Sequence, residues 1–176
     1  MNVSKIRVWT SVIVGLILVI SLGYFIWNVA RNEKIAQVGT TVPNIQLPSL
    51  SGKTVSLATM HGEPIIIDFF ATWCPPCQAE AEEQAKLASA YKGRVHLVLI
   101  DRMEGVGAVT LFVQKYRLNA ATVLLDYNDE WAPKLGVIGQ PETFWIDKAG
   151  IIRQHFNSEM SDSQLAALFS RAASSS

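Results

Sequence analysis

The segment Pro64-Ile65-Ile66-Ile67-Asp68-Phe69-Phe70 is long enough for one strand, and four residues beyond it begins the only cysteine pair of the chain, Cys74 and Cys77. A continuous run of β-branched and aromatic residues marks a strand covered on both faces. From Pro75 to Tyr91 the chain is rich in Ala and Glu, with Ala81, Ala85, Leu87 and Ala88 among polar positions, which predicts a helix. The C-x-x-C pair therefore stands where a buried strand gives way to a helix. Unpaired backbone N–H groups and the positive end of the helix dipole stabilise a thiolate there, and one turn of helix brings the second thiol within reach. The arrangement predicts an exchangeable dithiol, with Cys74 as the exposed attacking nucleophile and Cys77, one turn inward, as the thiol that resolves the mixed disulfide. A bridge across two intervening residues closes almost no loop and adds little stability, so a purely structural disulfide is disfavoured. Zinc would need two more ligands, and His61, His96 and His155 stand singly with no second C-x-x-C, so neither a metal nor any other cofactor is expected.

The rest of the chain alternates strand and helix. Pro43 to Leu47 alternates apolar and polar as a half-buried strand, and Ser51-Gly52-Lys53 turns the chain. Val95 to Ile100 reads as a second buried strand, and Val109 to Tyr116 as a helix with Val109, Phe112, Val113 and Tyr116 on one face. Ala121 to Leu125 is a short strand, followed by a helical turn over Glu130 to Leu135 and a strand over Glu142 to Ile146. Lys148-Ala149-Gly150 is a hairpin turn into Ile151 to Phe156, and Ser161 caps a closing helix that runs to Ala172 before a frayed tail, 173–176. Such alternation, closed by an antiparallel hairpin, predicts an α/β fold with a mixed central sheet and helices on both faces.

Ahead of this domain, residues 8–27 contain no charged side chain, enough helix to span the roughly 30 Å core of a bilayer. Trp9, Tyr24 and Trp27 stand at interfacial depth, and Asn28-Val29-Ala30-Arg31 lacks the small-x-small pattern of a cleavage site, so the segment reads as an uncleaved transmembrane helix. Lys5 and Arg7 on one side, against Arg31 and Lys34 with Glu33 on the other, favour residues 1–7 in the cytoplasm and the domain outside. Residues 28–41 then form a linker and 42–172 the domain. Only 17% of the chain is charged, and beyond residue 31 stand 12 of the 15 Lys and Arg against all 15 Asp and Glu. That balance excludes a disordered acidic chain and a basic nucleic-acid-binding protein.

Phe69-Phe70-Ala71-Thr72-Trp73-Cys74-Pro75-Pro76-Cys77 resembles the active-site segment of the thioredoxin superfamily, and Gly136-Val137-Ile138-Gly139-Gln140-Pro141-Glu142-Thr143-Phe144-Trp145-Ile146-Asp147 resembles its second signature. The resemblance covers roughly residues 39–168 and implies a thioredoxin-like fold. It implies that Pro141 follows a cis peptide bond and packs against the dithiol, that its loop presents backbone to an extended client peptide, and that Gln140 lies beside the cysteines. Trp73 is expected to shield the dithiol by packing rather than take part in the chemistry, and Trp73, Gln140, Pro141 and Glu142 are the expected client-binding residues. Within the superfamily, the anchor, the Pro43 to Val55 hairpin and the Pro-Glu-Thr-Phe stretch resemble the membrane-tethered reductases of the TlpA, ResA and CcmG type. Those act outside the cytoplasmic membrane, which implies disulfide-bearing client proteins, notably apocytochrome c during cytochrome c maturation, and a transmembrane thiol carrier as electron donor. General extracytoplasmic reduction or thiol supply to a copper centre would use the same dithiol.

Asp68 stands in an apolar run where a carboxylate is costly and its pKa should rise. The resemblance implies that it exchanges a proton with Cys77, although the tethered branch more often has Asn there; a solvated Asp at a strand edge is the alternative. Glu80 matches a Glu of the tethered reductases that tunes the cysteine pKa values, or belongs with Glu82 and Glu83 to a solvated face. Glu142 matches an acidic position of the cytochrome c branch, or is an ordinary loop charge. His96 and His155 have no partner legible in sequence and are taken as structural. Pro75 and Pro76 lack N–H groups, so two donors that would stabilise a Cys74 thiolate are missing, which predicts a reductant rather than a disulfide-forming oxidase. A peroxidase of the same superfamily is disfavoured, because its Thr three residues before the reactive Cys and Pro seven before are here Ala71 and Ile67. A copper-delivery protein would have wider cysteine spacing, and a non-catalytic binding module would have lost a cysteine.

Overall fold

The computed structural model describes residues 13–24, 36–60 and 62–175. The chain divides into two compact units, Met1–Lys34 and Ile35–Ser176. In the first, residues 13–24 are helical (α1), and side chains such as Val19 and Ile20 are 69% and 68% exposed. Among the described residues no helix is long and apolar enough to cross a membrane. The remainder of the 8–27 span, the first part of the 28–41 linker, and His61 lie outside the described residues.

The second unit runs β1 (Gln46–Pro48), β2 (Thr54–Ser56), a 3-10 turn (Leu57–Met60), β3 (Ile65–Phe70), α2 (Pro75–Ala90), β4 (His96–Arg102), α3 (Val106–Tyr116), β5 (Thr122–Asp126), α4 (Trp131–Lys134), β6 (Glu142–Ile146), β7 (Ile152–Phe156) and α5 (Asp162–Ser174). β1 and β2 pair as an antiparallel hairpin, and the other five strands form a mixed sheet in the order β5-β4-β3-β6-β7. β3 is central, parallel to β4 and antiparallel to β6. The parallel pairing requires a crossover, and α2 supplies it.

All six residues of β3 are buried, as the apolar run predicts, and their alternation splits the core in two. Ile66 and Phe70 face the cluster built from α2, α3 and α5, with both cysteines, Ala81, Phe112 and Leu168. Ile65, Ile67 and Phe69 face a second cluster closed by Ile45 and Leu47 of the β1 region, Leu57, and Ala132 and Leu135 around α4. The expected helices on both faces are therefore unequal. Three full helices cover one face, while a hairpin and a four-residue helix cover the other.

Two boundaries differ from the sequence reading. Residues 36–41 are part of the domain rather than a free linker: the Ala36 N–H donates to the Lys134 carbonyl at 3.1 Å, the Gly39 N–H to the Ile152 carbonyl at 2.8 Å, and Thr41 bridges Ile151. Edge backbone groups of β7 find partners in this way. At the other end α5 continues through Ser174, so Ala173 and Ser174 are helical rather than frayed, and Ser176 lies outside the described residues. Ser161 is the N-cap, in a capping box with Gln164.

Candidate active site

Cys74 is the N-cap of α2, in extended conformation, with Pro75 and Pro76 as the first two helical residues and Cys77 as the third. Proline is tolerated there because its fixed φ suits the first turn and its missing N–H would have no intrahelical partner. The two cysteines form a disulfide with Cα atoms 5.3 Å apart. Of the first-turn N–H groups, that of Cys77 donates to Cys74 Sγ at 3.4 Å. Both cysteines are only 3% exposed, so in this oxidised form exposure does not single out Cys74 as nucleophile. Position does: Cys74 is the N-cap, with Sγ 3.6 Å from the Gln140 carbonyl oxygen, whereas Cys77 lies one turn into the helix.

The Gln140–Pro141 peptide bond is cis, as the second signature implies. Trp73 is not packed away as expected: it is 66% exposed. Ile138, two residues before Gln140, is 91% exposed.

Asp68 on β3 and Glu80 on α2 are each 1% exposed, which overturns both the solvated strand-edge and the solvated helix-face alternatives. Gln84, one turn beyond Glu80, links them. Its Nε2 donates to Asp68 Oδ2 at 2.9 Å and to Glu80 Oε2 at 3.1 Å. Thr143 Oγ1 donates to Asp68 Oδ1 at 3.2 Å, and the Met160 N–H donates to Glu80 Oε1 at 2.5 Å. Burial raises the Asp68 carboxyl to about 7 despite the bonds from Gln84 and Thr143. Burial, reinforced by the neighbouring Asp68 charge, raises Glu80 to about 8. Two buried carboxyls joined through one amide hold a proton near neutrality, when a thiol needs a group to take or give one.

Glu142 is likewise not a loop charge. It is 1% exposed, its Oε1 accepts the N–H groups of Ile138 at 2.8 Å and Gly139 at 2.9 Å, and its Oε2 lies 2.6 Å from His155 Nε2. His155, taken as an unpartnered structural residue, also stacks on Phe144 with ring centroids 4.0 Å apart. His96 Nε2 lies 3.0 Å from Glu63 Oε2. Among the described residues no group of three or more His, Cys, Asp or Glu is placed to hold a metal ion.

Three residues of the site were missed in sequence. Gln84 had a local signal, since it stands four residues after Glu80 on the same helix face. Arg102 and Glu104 had none. Arg102 Nη1 donates to the Gly139 carbonyl at 3.2 Å and to Gln140 Oε1 at 2.9 Å, while its Nε and Nη2 fork onto Asp129 at 2.8 and 2.7 Å. Glu104 accepts the Thr72 N–H at 2.5 Å and the Thr72 hydroxyl at 2.6 Å.

A disulfide at a helix N-terminus, a cis-proline loop against its first sulfur and linked buried carboxyls on the same strand and helix, all on a β5-β4-β3-β6-β7 sheet, define a thioredoxin-like thiol–disulfide oxidoreductase. Residues 38–155 match the AhpC/TSA family, and the chain belongs to it. It is 32% identical over 164 residues to the thiol-disulfide oxidoreductase ResA of Bacillus thuringiensis subsp. konkukian, covering 92% of this chain and 94% of that one. ResA of Bacillus subtilis is 29% identical over 164 residues, covering 92% of this chain and 90% of that one. Among solved structures, a secreted Mycobacterium tuberculosis disulfide oxidoreductase homologous to E. coli DsbE superposes with a TM-score of 0.67 at 30% identity, over 73% of this chain and 96% of that one.

Proposed function

We propose that the protein is a membrane-tethered reductant of disulfides in extracytoplasmic client proteins such as apocytochrome c, acting in cytochrome c maturation. The observation that carries the direction of reaction is the pair of prolines at the first two positions of α2. With two first-turn donors removed, the Cys74 thiolate is less stabilised than at an ordinary helix N-terminus, and a less stable thiolate makes a less oxidising couple. The client class follows from the likeness to tethered reductases at Glu80 and Glu142, both of which are built into the site. The tether rests on the uncharged 8–27 segment, and its described part supports it with aliphatic side chains open to the surroundings.

In the forward reaction the Cys74 thiolate attacks one sulfur of the client disulfide, and the other leaves as a thiolate. The Cys77 thiol gives its proton to the Asp68 carboxylate, which has Glu80 and Gln84 behind it, and attacks Cys74 Sγ. The second client sulfur leaves Cys74 as a thiolate, the two client thiolates take up the proton held at Asp68 and one from solvent, and the client departs as a dithiol with two electrons that the enzyme has lost. The oxidised Cys74–Cys77 pair then needs two electrons from a membrane thiol carrier.

The test is the reduction potential of the full chain, equilibrated against dithiothreitol and glutathione buffers, together with reduction of an oxidised C-x-x-C-H peptide. A potential near or below that of thioredoxin, about −270 mV, with peptide reduction lost in Cys74→Ala, supports the proposal. A potential near that of strong oxidases, about −120 mV, overturns it.

A further inference from the structure

Two loops meet at the dithiol, one carrying Thr72-Trp73-Cys74 after β3 and one carrying Gly139-Gln140-Pro141 before β6. Neither bonds its polar groups only to itself. Both are held from the end of β4, by side chains two residues apart in sequence. Arg102 reaches the Gly139 carbonyl and the Gln140 side chain, and Glu104 reaches both donors of Thr72.

We infer that the end of β4 is a two-armed strut, in which Arg102 positions the client-binding loop and Glu104 positions the attacking cysteine. The Arg102 arm rests on the proposed role of the Gln140–Pro141 loop in binding client backbone.

The chemistry of each arm is specific. Arg102 spends one edge of its guanidinium on both carboxylate oxygens of Asp129 and has Nη1 left for the loop, a division that a planar fork permits and a single ammonium does not. Glu104, as a carboxylate, takes two donors from one residue. The Thr72 carbonyl is taken in turn by Gln78 Nε2 at 2.7 Å, so every polar group of Thr72 is fixed two residues before Cys74. The Glu104 backbone is itself anchored, its N–H donating to Oδ2 of the fully buried Asp101 at 2.9 Å. The anionic arm also bears on reactivity. A carboxylate beside the Cys74 turn disfavours a second negative charge on Cys74, which acts in the same direction as the two prolines.

The arms separate experimentally because a small disulfide needs the sulfur but not the loop. Pre-reduced full-chain protein is reacted in single turnover with insulin and with 5,5′-dithiobis(2-nitrobenzoic acid), and Cys74 alkylation by iodoacetamide is followed against pH. Arg102→Gln is expected to slow insulin reduction about tenfold, leaving the small disulfide within about twofold and the alkylation midpoint unchanged. Glu104→Gln is expected to lower the alkylation midpoint by about 0.5 pH unit and to change the rate with both disulfides. Arg102→Lys, which keeps the charge but not the fork, should reproduce the split of Arg102→Gln and stands in for it if that variant melts early. Equal slowing of both disulfides by the Arg102 variants, or no slowing, overturns that arm, and an unmoved midpoint in Glu104→Gln overturns the other. If the unaltered protein reduces the small disulfide but not insulin, the proposed client reduction fails and the Arg102 arm fails with it. The alkylation profile, which needs no client, still decides the Glu104 arm.

Discussion

Asp68 shows most directly how one side chain couples chemistry to stability. Its carboxyl is pushed up to about 7 by burial, so between the unfolded value near 4 and 7 the folded protein binds more protons than the unfolded chain. Stability from this group is therefore fully present below about pH 4 and is lost as pH rises through 7; Glu80, raised to about 8, acts in the same sense. Asp68→Asn removes the cost of ionising in the core. The variant should be more stable than the parent at pH 8, by on the order of 4 kcal/mol, and nearly equal to it at about pH 3.5. Denaturant unfolding at the two pH values checks this, and equal differences at both would show that Asp68 does not titrate in that window. Under the proposed mechanism the same variant should also release client more slowly, because Asp68 is there the proton acceptor of Cys77. At Pro76 the argument turns on a missing atom. Pro76→Ala restores an N–H in the first turn of α2, and should lower the pH midpoint of Cys74 alkylation and make the couple about 20 mV more oxidising.

The elements differ in how far local sequence determined them. β3 was legible because six consecutive apolar or isolated polar residues can only be buried together, and α5 because Ser161 stands as an N-cap at its start. Ser161→Ala should cost about 1 kcal/mol, read as an earlier thermal transition with the dithiol potential unchanged. The cis bond at Pro141 was legible only through the family signature. What local sequence could not supply is which loop each charged side chain reaches. Arg102 bonds to residues 37 and 38 positions away and Glu104 to one 32 positions away, contacts that exist only after β3, β4 and β6 lie side by side. Trp73 differs for the opposite reason. Aromatic residues in a motif are usually packed, and here the ring is 66% exposed.

The molecule as a whole is two compact units, and the redox site, from Asp68 to His155, falls entirely within Ile35–Ser176. That unit is closed on itself. Its first described residue, Ala36, donates to the Lys134 carbonyl, and its last helix packs Leu165, Leu168 and Phe169 into the core that holds both cysteines. Among the described residues, those that hold the dithiol all lie within Ile35–Ser176, and under the proposed tether the uncharged 8–27 segment would supply location. A chain beginning at Ile35 should melt at the temperature of the domain transition of the full chain and reduce a small disulfide at a rate within about twofold. It should also move from the membrane fraction to the soluble one. If the shortened chain stays with membranes, the contact lies in the domain. If the full chain is already soluble, the tether is wrong, and a reductant confined near its electron donor gives way to one that must find that donor by diffusion.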